Sequence, residues 1–198
     1  MLSLGEGTTY TNKPLKILIV GGACTGKTTL AQALRRKYPQ FKAPSESVRI
    51  LCEDYNYRID NGNTPIQMSI LALEASEVSS PENLILDSCL LGSRAYTEYY
   101  LRRGLSDIRG DAYRFYCDFT SSLLKKYVDL IIFPRAGDFP VVGDSFRIVD
   151  EKYTKEVDSI VEELIRKDHL EDKVIEVAGS IEERVKICSE RIEKLTTN

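Results

Sequence analysis

Short runs of aliphatic residues recur along the chain, each too brief for a helix, with longer stretches between them whose apolar positions repeat every three or four residues. Leu15-Lys16-Ile17-Leu18-Ile19-Val20, Asn83-Leu84-Ile85-Leu86-Asp87, Val128-Asp129-Leu130-Ile131-Ile132-Phe133 and residues 173–178 read as buried strands. Residues 27–37, 65–79, 93–103, 112–126 and 151–167 carry helical spacing, and Ser180 followed by Glu183 has the capping-box pattern that opens a final helix. Phe41-Lys42-Ala43-Pro44 is too short for periodicity to decide, and a strand there would be the fifth. The alternation predicts an α/β domain over 15–198, with a mainly parallel sheet of about five strands and helices on both faces. Residues 1–14, rich in Thr and Gly and without periodicity, read as a flexible arm.

The first strand leads directly into Gly21-Gly22-Ala23-Cys24-Thr25-Gly26-Lys27-Thr28, and a helical pattern follows from Thr29. Glycine, four residues, then Gly-Lys-Thr is the P-loop pattern, and it stands here between a strand and a helix, the setting its chemistry requires. Backbone amides from Gly22 through Thr29 are expected to wrap a polyphosphate at the helix N-terminus, which side chains at the glycines would obstruct. Lys27 would supply a mobile charge to the outer phosphates and the Thr28 hydroxyl a ligand to magnesium. The arrangement predicts a P-loop NTPase fold that takes a nucleoside triphosphate with Mg2+.

Further candidates fall where strands end. Asp87 closes its strand, where a carboxylate can meet magnesium or an acceptor hydroxyl, although a strand-end cap would look the same. Arg135 follows another strand at its carboxyl end, the side on which open parallel sheets bind ligands. The Gly- and Pro-containing stretch 136–147 reads as a short lid that carries Arg147, a residue equally at home in a solvated loop. Glu46 and Arg49 stand one helical turn apart if a helix begins after Ser45, and a surface ion pair would also account for them. Core packing accounts for most of Tyr96, Tyr99, Tyr100, Tyr113, Phe115, Tyr116 and Phe119, with one or two free to stack on a flat acceptor.

Composition narrows the classes. The 198 residues carry a net charge of -3 with a pI near 5.4, so no global basic field exists for a long nucleic acid. Five scattered cysteines with no Cys-x-x-Cys pair indicate neither disulfides nor zinc. The lone histidine, His169, lies in a charged setting and reads as a surface residue, which argues against Ser-His or Cys-His chemistry. The start lacks the order of a signal peptide and no apolar run approaches membrane-spanning length, so a cytoplasmic protein without a membrane partner is expected.

Taken together, the P-loop, Glu46-Ser47-Val48-Arg49 and the stretch from Gly143 through Asp144 and Arg147 to Asp150 resemble the P-loop nucleoside and nucleotide kinases, with most likeness to the ribosylnicotinamide kinase domain of bacterial NAD-biosynthesis regulators. The segment from Asp87 through Ser93, Arg94, Ala95 and Tyr96 is similar to one in thymidylate and deoxynucleoside kinases, with Ser88 in place of the arginine that follows the aspartate there. That departure suits a neutral hydroxyl acceptor, and Cys89 stands where the ribosylnicotinamide kinases carry a second aspartate.

The resemblance implies a kinase that moves the terminal phosphoryl group of ATP to a nucleoside-like acceptor. Lys27, Asp87 and Arg147 would be catalytic, Glu46, Arg49 and Asp87 would hold the acceptor, and Thr28 and Asp87 would hold magnesium. Arg135 and Gly179 would line the nucleotide, although a plain capping turn also explains Gly179 and Ser180. A nucleoside monophosphate and a hydroxymethylpyrimidine, free or within DNA, are alternative acceptors. DNA, the less favoured, would need a groove built from Arg102, Arg103, Arg109, Arg114, Lys125 and Lys126. A nucleotide-driven regulatory switch is the rival of a different class, and a homodimer is compatible with either.

Overall fold

A computed structural model describes residues 13–44, 51, 63–135 and 151–196. Its centre is a parallel sheet of four strands, β1 (Lys16–Ile19), β2 (Leu84–Asp87), β3 (Leu130–Pro134) and β4 (Val174–Val177), in the order β2-β1-β3-β4. Because β1 pairs on both sides, the sheet turns outward in two directions from its carboxyl end, which opens a crevice there. Ile19 lies level with Asp87 on one side and Ile132 on the other, so the ends of three strands converge on the loop that leaves β1.

The sheet has four strands among the described residues, one fewer than the alternation predicts. Lys42 forms a single parallel bridge to Leu84 at the free edge of β2, and Pro44, two residues on, has no amide hydrogen to extend a ladder. The edge position therefore exists as one bridge.

Side-chain alternation divides the core in two. Ile17, Ile19, Ile85 and Ile132 face α1 (Lys27–Lys37) and α6 (Ile181–Thr196), where Leu30, Leu34, Cys188 and Ile192 meet them. Leu18, Leu86, Ile131 and Phe133 face the other way, onto α2 (Thr64–Val78), α3 (Leu91–Arg102), α4 (Gly110–Tyr127) and α5 (Glu151–Lys167). The helix starts follow local chemistry. Asn63 accepts the Ile66 amide ahead of α2 at 3.0 Å, and Ser180 and Glu183 exchange the reciprocal capping-box bonds ahead of α6.

The second core encloses charge. Arg94 on α3 donates to Asp168, just past α5, at 2.6 Å, with both side chains buried and the Arg94 Nε lacking a hydrogen-bond partner. An acid at a helix C-terminus opposes the dipole, and the guanidinium offsets that. His169, beside it, is exposed. Removing one partner leaves a buried charge alone, so Asp168→Ala should lower stability by about 3–5 kcal/mol in denaturant titration, and Arg94→Leu with Asp168→Leu should recover most of the loss.

Candidate functional site

The P-loop leaves β1 at Val20 and ends on α1, whose N-cap is Gly26 at φ 81 with no side-chain cap. An uncapped helix start leaves its amides to be satisfied by an anion, and the left-handed backbone at Gly26 and at Cys24, φ 60, turns successive amides inward. The Lys27 side chain is buried and its Nζ donates to the Gly22 carbonyl, which also accepts from Thr25 Oγ1 at 3.1 Å.

Asp87 completes the floor. The Thr28 hydroxyl donates to Asp87 Oδ2 at 2.6 Å, and the Ser88 hydroxyl donates to Asp87 Oδ1 at 3.2 Å. A hydroxyl and a carboxylate in direct contact, at the mouth of a phosphate loop, fit a magnesium ion that takes its other ligands from phosphate and water. Among the described residues no group of three His, Cys, Asp or Glu could hold a metal without such help. The sequence-predicted pair Thr28 and Asp87 is thus brought together across the sheet.

Three elements that the sequence did not single out hold this floor from behind. On α5, the buried Asp158 accepts the Gly22 amide at 2.6 Å, and Thr154 Oγ1 donates to the Ala23 carbonyl at 3.1 Å. On α6, the buried Arg184 donates through Nη1 to the Thr25 carbonyl at 2.8 Å and through Nε to the Gly179 carbonyl at 2.9 Å. Gly179 therefore sits in the turn after β4, joined to the P-loop by one guanidinium. On α2, Glu74 accepts the Leu90 amide at 2.9 Å and the Ser93 hydroxyl, fixing the turn after Asp87 where Ser88 and Leu90 both have positive φ. Such backbone is strained for these residues and persists because neighbours over-determine it.

Arg135, suggested for the nucleotide lining, is engaged by two carboxylates. Its guanidinium forks onto Glu176 at 2.6 and 2.7 Å and reaches Glu162 at 2.7 Å, and these bonds hold its pKa above the ordinary arginine value. Glu46, Arg49 and Arg147, with the lid stretch 136–147, lie outside the described residues. Of the residues suggested for a DNA groove, Arg102 pairs with Glu163, Arg103 with Glu156 and Arg114 with Asp111. The aromatics divide as packing predicts, with Tyr96 and Tyr99 against Tyr153, and Phe115 stacked on Phe119 at the surface.

Asp158 and Glu74 carried one signal in the sequence. Each is acidic at a position where its helix otherwise presents its buried stripe: Asp158 beside Val157 and Val161, Glu74 between Ile70 and Val78. Arg184, near the start of α6, carries the same signal, one and two turns before the buried Cys188 and Ile192.

With this geometry established, comparison with known proteins gives a consistent placement. The family described as AAA domain, AAA_28, matches residues 16–184, and the chain belongs to that family. Curated proteins give no match. Among solved structures, NadR in complex with NR superposes with a TM-score of 0.67 at 22% identity, over 85% of this chain and 46% of that one. Deoxyadenosine kinase from M. mycoides with bound dCTP gives 0.65 at 17% identity, over 91% and 100%. Thymidylate kinase from Candida albicans gives 0.59 at 18% identity, over 92% of both chains. The chain spans about half the length of the NadR chains it matches. It has the fold of the P-loop nucleoside and nucleotide kinases. No helix among the described residues is long and apolar enough to cross a membrane.

The buried Glu74 supplies a pH test of this assembly. Burial raises its pKa from 4.5 to about 8, against the opposing pull of the Ser93 and Leu90 bonds. Between those values the folded protein keeps a proton that the unfolded chain has released, so this group makes stability fall as pH rises, by roughly 1.4 kcal/mol per pH unit. Glu74→Gln, which keeps an acceptor for the Leu90 amide without the titration, should flatten that decline in melts taken from pH 5 to 8.

Proposed function

We propose, from the AAA-domain family and the kinase-like fold, that the protein is a kinase using ATP and Mg2+ to phosphorylate a hydroxyl on a nucleoside-like acceptor. The observation that carries this reading is the contact of Thr28 with Asp87, which joins the P-loop to the carboxyl end of β2. In such a site the magnesium neutralises charge on the transferring phosphates. Phosphoryl transfer otherwise needs alignment and fixed positive charge more than covalent help.

The chain offers residues for each task. Amides from Ala23 to Thr29 would hold the phosphates while the Gly22 amide stays on Asp158, Lys27 would shift from the Gly22 carbonyl to the outer phosphate oxygens, and Thr28 would turn its hydroxyl oxygen to magnesium. Asp87, relieved of the Thr28 hydroxyl, would help hold the magnesium or receive the acceptor proton. Gly179 borders the base of the nucleotide, and Glu46, Arg49 and Arg147 contribute acceptor contacts and transition-state charge. Arg135 is left to its two carboxylates.

The acceptor is a neutral hydroxyl rather than a phosphate, because Ser88 follows Asp87 and bonds back to it. That turn therefore brings no cation to an acceptor phosphate. NadR, solved with NR, and deoxyadenosine kinase are the relatives in fold that make nucleosides the first compounds to try.

The test incubates the protein with labelled ATP and magnesium against nucleosides, ribosylnicotinamide, nucleoside monophosphates and hydroxymethyluracil-containing DNA, and follows the label. Transfer to a nucleoside is expected, with losses on the order of 10²–10³ in kcat for Lys27→Ala and Asp87→Asn. Label on monophosphates alone would overturn the neutral acceptor. Phosphate released only to water across the panel would overturn the kinase and favour a nucleotide switch.

A further inference from the structure

We infer that Thr154 and Asp158 on α5 are positioning residues of the nucleotide site: they hold the first half of the P-loop in its phosphate-ready shape, a role that no motif assigns to this helix. The inference rests on the nucleotide-binding reading of the P-loop. It does not depend on which acceptor is used.

A P-loop points its later amides at the phosphates, so its first residues must be held by something other than the ligand. Here Gly22 meets Asp158 through its amide, at 2.6 Å and out of solvent, while Ala23 meets Thr154 through its carbonyl at 3.1 Å. Thr154 and Asp158 are four residues apart and therefore lie on one face of α5, one turn above the other. The two bonds run in opposite senses, an amide given and a carbonyl satisfied, so consecutive residues of the loop are fixed at both kinds of backbone group.

Shape adds to the bonds. A Cβ on Gly22 would stand 2.5 Å from the Thr154 carbonyl oxygen, closer than any real contact, so the glycine is required by the helix as well as by the phosphate. The Gly22 carbonyl is the acceptor of Lys27 Nζ, so the residue that Asp158 fixes also carries the parking place of the P-loop lysine. Loss of the Asp158 bond would free Gly22, displace that carbonyl and leave the lysine and the following amides poorly aligned for phosphate. An anionic acceptor suits this place because charge-assisted bonds to amides are short and strong. It lies at the start of the loop, on the α5 side.

The experiment measures affinity for a fluorescent ATP analogue with magnesium in the intact chain and in Asp158→Ala, Asp158→Asn and Thr154→Val, with thermal melts of each without nucleotide. Asp158→Ala should bind the analogue at least tenfold more weakly, and Asp158→Asn within about threefold of the parent, since its amide oxygen still accepts the Gly22 amide. Thr154→Val keeps the shape and loses one bond, so a two- to fivefold weakening is expected. A purely structural role would lower the melting temperatures and leave the affinity of the folded protein unchanged, and that result overturns the inference alone. Should Asp158→Ala fail to fold, unchanged affinity in Thr154→Val overturns it. Absence of binding by the unaltered chain would overturn this inference together with the kinase reading.

Discussion

A loop that turns its amides toward one point has to be held from behind, and much of the structure around β1 answers that constraint. The strand enters from the centre of the sheet, so α1 and α6 stand on one face and α5 on the other. Asp158 and Thr154 reach the loop from α5, Arg184 reaches it from α6, and Asp87 meets Thr28 from the neighbouring strand. Three separate segments thus fix an eight-residue loop. The parallel sheet makes this feasible, because parallel order places every strand end, and the turn after it, on one side.

Ionisable side chains inside the helical layer are held in the same way. Glu74, Arg94, Asp158 and Asp168 are buried, and each is engaged by a hydrogen bond or an ion pair. Isolated charge in that layer would cost several kcal/mol, so these side chains are tolerated only in their bonded positions. That intolerance has a structural use. A helix carrying Asp158 on its buried stripe cannot slide along the sheet without breaking the bond to Gly22, and one carrying Glu74 cannot move without releasing Leu90. Apolar contacts alone would permit more adjustment than the ends of β1 and β2 can accept.

What the sequence made legible follows from the range of the forces involved. Periodicity marks the strands and helices because it reflects which side chains face the sheet, and the bounds of α1 and α5 coincide with those read from spacing. The P-loop and Asp87 are legible because their chemistry is local to a strand end. Periodicity does not decide the edge stretch 41–44, where a single bridge forms and Pro44 stops it. The carboxylates of Glu162 and Glu176 that engage Arg135 come from segments 27 and 41 residues away in sequence, out of reach of any local pattern. The contacts of Asp158 and Arg184 with the loop span 136 and 159 residues, beyond anything a local pattern encodes.

Ser88 shows how one residue can connect fold to acceptor. Its amide continues the β1 ladder by donating to the Ile19 carbonyl at 2.8 Å, and its backbone then enters the left-handed region at φ 58. The turn is close: a Cβ on Gly92 would lie 3.1 Å from the Ser88 Cβ, so α3 starts against this residue. A serine here keeps its hydroxyl on Asp87 and steadies the carboxylate that Thr28 also touches. A longer cationic side chain would leave that carboxylate for solvent or for an anionic ligand, which is the arrangement an acceptor phosphate requires. Holding Asp87 by two hydroxyls instead fixes that carboxylate at the mouth of the loop without adding positive charge, and on this rests the proposal of a neutral hydroxyl acceptor.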